Sequence, residues 1–356
     1  MRIFWIAGEP SGDVQAASLV QAIQKGHPDT LHAGWGGVHM QKEGVELRFD
    51  LPANPIMGFV EVVLKARMIR QQFRRVKQHI TEFEPEVLIL VDFPGFNLRI
   101  AQWAKARGMK VVYFIPPKVW AWKQGRLKKL TESTDLILSI LPFEESWYAA
   151  KGHELHYVGN PLAERYAGKT GYAPESKEVV LLPGSRSQEI QRLLPVFYEL
   201  ATALPEYQFK VVRAASVVGS WPSMVAPENV EVMDAPLAEV ARASCFALTC
   251  SGTASLEIAL LGIPQAVVYK ANPISLAIAR RFVKVPFFSL PNLILDIEAV
   301  PELLQEQVSV EVLKALIMGR GEEQLDQYNR LDAMLGAQTL EQDAVGLISE
   351  LVLSSK

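Results

Sequence analysis

Asp92, Arg186 and Glu257 carry the most chemistry in this chain for their surroundings, because each lies just beyond an apolar run, in a short stretch with glycine. Val91-Asp-Phe-Pro-Gly-Phe-Asn97 ends the most apolar run, Val87–Val91. A carboxylate at the end of a buried strand can act as a general base, and partial desolvation raises its proton affinity toward a useful value. Asp92 is the candidate base; in the alternative it caps local amides. Asn97 reads as the cap of the next helix. Leu181-Leu-Pro-Gly-Ser-Arg186 offers Gly184 for close approach, helix-terminal amides, and a guanidinium that can fork onto a phosphate. Ser185 with Gln188 also fits a capping box.

Ser251-Gly-Thr-Ala-Ser-Leu-Glu257 repeats the theme with hydroxyls. Ser251, Gly252, Thr253 and Ser255 suit a phosphate, and Glu257, four residues after Thr253 on one helical face, can accept both hydroxyls of a ribose. The plain alternative is Ser251 as an N-cap and Glu257 in solvent. Gly8-Glu-Pro-Ser-Gly-Asp13, with Gly12, is either an anion-binding loop or a tight turn with Asp13 on the first helical turn. It lacks the lysine of a Walker A motif. Tyr113-Phe-Ile-Pro-Pro-Lys-Val-Trp-Ala-Trp122 can form an aromatic wall for sugar or acyl chains through Trp120 and Trp122, or a packed surface loop. No Gly-x-Ser-x-Gly elbow is present, which argues against a serine hydrolase. The six histidines, at 27, 32, 39, 79, 153 and 156, form no metal-binding spacing, so no metal site and no cofactor is expected.

The elements behind these stretches follow from patterning. Apolar runs near 2–7, 31–35, 86–92, 110–115, 135–140 and 155–158 alternate with amphipathic ones, and a second series lies near 178–183, 208–213, 229–233, 245–250 and 265–269. Alternation of this kind gives βα units around parallel sheets. Pro161 to Glu178, rich in Gly, Pro, Ser, Lys and Glu, reads as the linker, and the pattern after Pro301 as helical. The expected fold is α/β, with two Rossmann-like domains facing across a cleft and a helical tail. The boundaries are 1–165, 166–335 and 336–356, the tail packing on the first domain or on a partner chain.

A length of 356 residues fits two domains, and 49% apolar with 21% charged residues excludes disorder and coiled coil. The N-terminus reads as a buried strand, not a signal peptide, and no run approaches a spanning helix. Two cysteines exclude a disulfide framework and suggest a reducing cytoplasm. The net charge of −3 argues against nucleic acid, yet residues 1–160 hold 20 Lys/Arg against 16 Asp/Glu and residues 161–356 hold 16 against 23. Much of that asymmetry comes from Val62 to Thr81, which has no acid and six basic residues, including Lys65, Arg70, Arg74 and Arg75. Ile69, Phe73, Val76 and Ile80 recur at helical spacing, and Met57, Phe59 and Val60 precede them. This amphipathic stretch suits an anionic lipid surface, a helix docked on the sheet, or both.

In register, GEPSGD at 8–13, MGFVEV at 57–62, DFPGFN at 92–97, PPKVWAW at 116–122, LPFE at 141–144, VGNP at 158–161, LLPGSR at 181–186, SGTASLE at 251–257 and SLPN at 289–292 resemble the lipid-A-disaccharide synthase family. The resemblance spans nearly the whole chain. It implies a GT-B fold and an inverting, metal-independent hexosyltransferase of lipid A and lipopolysaccharide biosynthesis. The substrates implied are UDP-2,3-diacylglucosamine and 2,3-diacylglucosamine 1-phosphate (lipid X), and the products the β-1,6-linked disaccharide 1-phosphate and UDP. It implies Asp92 as base and Arg186 as a residue needed for activity. Gly184, Ser185, Ser251, Gly252, Thr253, Ser255, Glu257 and Asn292 fall in the nucleotide-sugar region. Gly12, Met57, Phe59, Val60, Arg70, Arg74, Trp120 and Trp122 fall on the acceptor and lipid side. It also implies a peripheral position on the cytoplasmic face of the bacterial inner membrane, and leaves an oligomer open.

Two positions depart from the family pattern. Gly95 stands where many members have a second aspartate, and Asn160 where many have histidine. The competing readings are another GT-B enzyme, such as a nucleotide-sugar 2-epimerase or a peptidoglycan N-acetylglucosaminyltransferase, and a non-catalytic lipid- or nucleotide-binding protein.

Overall fold

The computed structural model describes residues 1–51, 66–121, 124–213, 221–272, 286–336 and 338–354, with side chains of the helix that starts at 66 taken from 68 onward. The described residues fall into two compact units, Met1–Pro161 with Gly336–Lys356, and Leu162–Leu335.

The first unit runs β1 (Arg2–Ala7), α1 (Pro10–Gly26), β2 (Leu31–Gly36), α2 (Val38–Lys42), β3 (Glu46–Asp50), α3 (Ala66–Phe83), β4 (Val87–Val91), α4 (Pro94–Lys105), β5 (Lys110–Phe114), α5 (Arg126–Ser133), β6 (Leu136–Ser139), α6 (Pro142–Ala149) and β7 (His156–Tyr157). Its sheet order is β3-β2-β1-β4-β5-β6-β7, with every pairing parallel. Side chains alternate across it. Ile3, Trp5, Ile89, Val91 and Phe114 join Leu19, Val20 and Ile23 of α1, whereas Phe4, Ile6, Leu88, Leu90 and Tyr113 join Val76 and Ile80 of α3 and residues of α4. With both faces covered, the strands can be apolar without interruption.

The second unit opens with α7 (Pro161–Tyr166) and continues β8 (Glu178–Leu182), α8 (Ser187–Ala203), β9 (Gln208–Val212), β10 (Val230–Met233), α9 (Leu237–Val240), β11 (Phe246–Cys250), α10 (Thr253–Leu260), β12 (Gln265–Tyr269), α11 (Leu290–Leu295), β13 (Glu302–Leu304), α12 (Val310–Gly319) and α13 (Gln324–Leu335). Its sheet is parallel, in the order β10-β9-β8-β11-β12-β13.

Strands β3 and β13 lie outside the two series read from the sequence. Both sit at sheet edges, where one neighbour suffices and half-exposed ELRFD and a three-residue ELL carry little apolar signal. The stretch read as a linker is structured: it holds α7, and Tyr172 forms a parallel bridge with Ser244.

The C-terminal residues return to the first unit. A π-type turn over Leu340–Ala344 leads into α14 (Val345–Leu353), and Leu340, Val345, Ile348 and Val352 are buried with α1 in one apolar cluster. Truncating a fully buried Ile348 should leave a cavity there. Ile348→Ala is expected to lower the stability of the first unit by about 2–5 kcal/mol, read as a lower denaturant midpoint. An unshifted midpoint would show that the tail adds nothing to that core.

Candidate functional sites in the two units

In each sheet the strand order reverses at one place, between β1 and β4 and between β8 and β11. Loops leaving the carboxyl ends of strands at such a reversal are where open α/β sheets bind ligands. The register brings the ends together: Ala7 lies beside Val91, Val91 beside Phe114, and Leu182 beside Thr249.

In the first unit the chain leaves β4 by an unusual turn. Asp92 and Phe93 are both left-handed, with φ of 46° and 50°, and at the end of β5 the β-branched Ile115 has φ of 61°. Non-glycine residues in this region store on the order of 1–3 kcal/mol each, and such strain gathers at functional sites. The Asp92 backbone is pinned from three sides. Its N–H donates to Phe114 O at 3.1 Å, and its carbonyl accepts from Tyr113 Oη at 2.7 Å and from Asn97 Nδ2 at 2.8 Å. Asn97 also donates to the carbonyls of Val91 and Ile6. Its expected role as a helix cap is therefore replaced: Phe93 occupies the N-cap of α4, and Asn97 ties the ends of β1 and β4 together.

Burial raises the Asp92 carboxyl to about 6, the nearby Glu9 charge adds to the rise, and the Phe93 backbone and Lys118 oppose it. The GEPSGD stretch thus contributes Glu9, which the sequence reading did not single out. Gly8 serves packing: a Cβ there would lie 2.3 Å from the Phe93 ring. Asp13 lies on the first turn of α1, as expected. It is buried and accepts from the N–H groups of Gly37, His39 and Met40, capping α2. Gly12 is buried, its Cα side against Val91.

Trp120 is turned inward as well. Its indole N–H donates to Glu144 at 2.6 Å and its ring meets Phe143 edge-on. Met57, Phe59, Val60 and Trp122 lie outside the described residues. Along α3, Val76 and Ile80 are fully buried while Arg70, Arg74 and Arg75 are exposed, so the apolar stripe docks on the sheet and the basic face stays outside.

In the second unit, Glu189 organises the loop after β8. Its carboxylate accepts from the N–H groups of Ser185 and Arg186 at 3.3 Å each, and from the Arg186 guanidinium at 3.2 Å. The cap thus falls at Arg186 with Glu189, one residue beyond the expected Ser185 and Gln188 pair. Gly184, at φ 107°, leaves the space that this carboxylate fills. The Arg186 side chain remains two-thirds exposed.

Beside it, Gly252 at φ 149° is the N-cap of α10, and a Cβ there would meet nothing within 4 Å, so a ligand can approach this backbone. Thr253 is exposed, whereas Ser255 is fully buried and donates to Gly252 O. Ser251 Oγ is not an N-cap; it donates to Phe288 O and ties this loop to the one before α11. Within α11, Asn292 is fully buried and paired with both N–H and carbonyl of Val300 and with Glu302, so its amide ties the helix to the chain before β13. Glu257 accepts from Tyr166 Oη at 2.6 Å, and burial raises its proton affinity. Tyr166 carried no signal of its own in the sequence. Among the described residues, no group of three or more His, Cys, Asp or Glu could hold a metal ion.

The two parallel α/β sheets with ligand loops at both reversals match GT-B glycosyltransferases. Solved structures sharing the fold include the glycotransferase of kitacinnamycin (TM-score 0.68, 13% identity, 99% of both chains) and CalG4, the calicheamicin glycosyltransferase (TM-score 0.62, 12% identity, 99% of this chain and 98% of that one). The UDP-GlcNAc 2-epimerase from Neisseria meningitidis shares it too (TM-score 0.59, 13% identity, 99% of this chain and 100% of that one). The family model for lipid-A-disaccharide synthetase matches residues 3–352, and the chain belongs to this family of glycosyltransferases in lipid A biosynthesis. Among its relatives, the lipid-A-disaccharide synthase of Myxococcus xanthus (strain DK1622) is 38% identical, over 91% of this chain and 90% of its own length. That of Colwellia psychrerythraea (strain 34H / ATCC BAA-681) is 33% identical, over 99% and 94%.

The pinned turn predicts a graded response. Asn97→Ala removes hydrogen bonds to three buried carbonyls and should lower stability by about 1–3 kcal/mol while reducing turnover. Tyr113→Phe, which leaves Asn97 in place, should reduce turnover less. Folded Asn97→Ala protein with unchanged turnover would show that the turn needs no such hold.

Proposed function

We propose that the chain condenses UDP-2,3-diacylglucosamine with 2,3-diacylglucosamine 1-phosphate by a single in-line, inverting displacement. The observation that carries this reading is Asp92, a carboxylate held on a strained turn at a sheet reversal and raised to about 6. Such a group is ionised at neutral pH and still basic enough to accept a proton in the transition state. Asp92 takes the proton of the acceptor 6-hydroxyl as that oxygen attacks the anomeric carbon of the donor. The anomeric C–O bond breaks, and the electron pair leaves with UDP.

In the second unit, Arg186 and the open amide end at Gly252 meet the charge that grows on the departing diphosphate. Glu257, oriented by Tyr166, has one oxygen directed at Tyr166 and a second with no other described hydrogen bond, which suits a ribose hydroxyl. These fixed donors do the work a divalent ion would otherwise do, so turnover should survive EDTA. The donor and acceptor both carry acyl chains, and the exposed Arg70, Arg74 and Arg75 of α3 supply a basic face for an anionic membrane surface. No helix among the described residues is long and apolar enough to cross a membrane. We place the enzyme at the cytoplasmic face of the inner membrane.

Incubating the purified protein with the two substrates and reading UDP release and disaccharide formation tests this directly. Asp92→Asn should lose about two to four orders of magnitude in turnover and bind UDP normally. In the parent protein, turnover should fall as the pH drops through about 6, because the base works only when ionised. Near-normal turnover in Asp92→Asn would remove Asp92 from the mechanism. Arg186→Ala should weaken both UDP binding and turnover, and unaltered UDP affinity would displace the nucleotide from the second unit.

Charge reversal on α3 addresses the membrane. Arg70→Glu, Arg74→Glu and Arg75→Glu together should reduce sedimentation with anionic vesicles and leave UDP affinity intact. Salt should weaken binding of the parent, as the Debye length falls from about 10 Å at 0.1 M to about 3 Å at 1 M. Equal sedimentation of parent and triple variant at low salt would sink the role given to this face.

A further inference from the structure

Glu144 is a second buried carboxyl in the first unit, and the mechanism above does not use it. It sits on the first turn of α6, 2% exposed. Its two oxygens meet different elements. Oε1 accepts from the indole N–H of Trp120, in the loop after β5, at 2.6 Å, and Oε2 accepts from Ser139 Oγ at the end of β6. Ser139 Oγ in turn accepts from the N–H of Leu141 at 2.9 Å, which fixes the turn into α6. The Trp120 ring is held from its edge by Phe143, with centroids 5.0 Å apart. The Pro-Pro-Lys-Val-Trp loop is thus clamped at its far end by one buried acid.

We propose that Glu144 is a positioning residue for the transfer reaction: its buried carboxyl, through Trp120 and Ser139, fixes the loop after β5 that carries Lys118. The proposal rests on Asp92 being the general base. Several groups face Glu144. Trp120 and Lys118 come from the loop after β5, Ser139 from β6, Asp92 from the turn after β4 and Tyr148 from its own helix. Burial raises Glu144 to about 7; the Asp92 charge adds to the rise, and Ser139, Trp120 and Lys118 oppose it. A like charge favours the protonated form of its neighbour. Glu144 therefore takes up its proton before Asp92 does, and Lys118, on the loop it clamps, favours the ionised form of both. A neutral Glu144 keeps at most one oxygen as a full acceptor, so the hold on Trp120 weakens as the acid takes up its proton.

Glu144→Gln removes the charge and keeps the shape. Its amide oxygen can still accept from Trp120, and its amide N–H can donate to Ser139 Oγ, whose proton then turns to Leu141 O at 3.3 Å. Two measurements on the full chain test the proposal. The first is the pH dependence of turnover. Glu144→Ala removes both acceptors and releases the loop with Lys118, so turnover should fall and the acidic limb set by Asp92 should move to higher pH, while Glu144→Gln should stay close to the parent. A Glu144→Ala profile superimposed on that of the parent overturns the positioning role.

The second measurement is the 15N-indole resonance of Trp120, assigned by its loss in Trp120→Phe. In the parent it should shift with a midpoint near pH 7, and in Glu144→Gln it should not titrate there. A parent resonance that ignores pH, or one that still titrates in Glu144→Gln, overturns the clamp. Asp92→Asn keeps the two ideas apart: retained turnover there refutes the base, whereas the indole titration reports on Glu144 whichever residue moves the substrate proton.

Discussion

Two consecutive left-handed residues, Asp92 and Phe93, are the constraint around which the first unit's site is built. A strand that ended in an ordinary turn would carry the Asp92 carboxylate onward along the strand direction. The left-handed pair redirects the chain within one residue, directly into α4, whose first residue is Pro94. Phenylalanine gains nothing from that backbone conformation, so the surroundings must impose it. Asn97, Tyr113 and the Phe114 carbonyl do so through the Asp92 backbone, which leaves the carboxylate free for chemistry. Phe93 then lies where a side chain at Gly8 would be, so the loop after β1 is shaped by the turn after β4. That packing brings Glu9 close enough to raise Asp92, and the strain, the glycine and the shifted proton affinity have one origin.

Buried or half-buried carboxylates do the corresponding work elsewhere in both units. Asp13 gathers three N–H groups at the start of α2, Glu189 gathers two before α8, and Glu302 gathers those of Phe288 and Ser289 together with the Ser289 hydroxyl. A carboxylate offers about four acceptor positions, so a single side chain can fix a whole turn. Hydrogen bonds to a charged acceptor are worth about 1.5–3 kcal/mol each, against about 1 for neutral pairs. Loops built this way are ordered before any ligand arrives, which lowers the entropy cost of binding. The same solution constrains Arg186. Its guanidinium shares Glu189 with two amides, so any anion drawn to it must compete with a carboxylate already in place.

The residues that carry charge at the sites were legible because chemistry and topology coincide. Asp92, Arg186, Gly252 and Glu257 each come after a largely buried strand, and the eleven expected strands all exist. What could not be read was which polar groups turn inward. Asn97, Asn292 and Ser255 look like ligand or cap residues in a linear motif, yet each is fully buried and bonded within the chain. Local sequence does not reveal this, since the partners lie on other elements: Ile6 for Asn97 and Phe288 for Ser251. Tyr166 and Glu144 were missed for the same reason. Each acts through a contact with a residue 91 or 24 positions away.

The fold by itself does not separate a transferase from an epimerase, since structures of both kinds superpose on this chain at 12–13% identity. The distinction resides in the first unit. A transferase must deprotonate a hydroxyl of a second substrate, which requires a base next to the place where that substrate rests, shielded from bulk water. As the base proposed above, Asp92 meets that requirement through burial and through the Glu9 charge, which oppose its ionisation, while Lys118 favours it. An isolated carboxylate in water, with an ordinary affinity near 3.9, would be too weak a base for a sugar hydroxyl. Too many like charges would leave it protonated at neutral pH. One acid and one lysine beside a desolvated aspartate strike the balance between those limits, holding the group at about 6, where it is ionised at neutral pH and still takes up a proton readily.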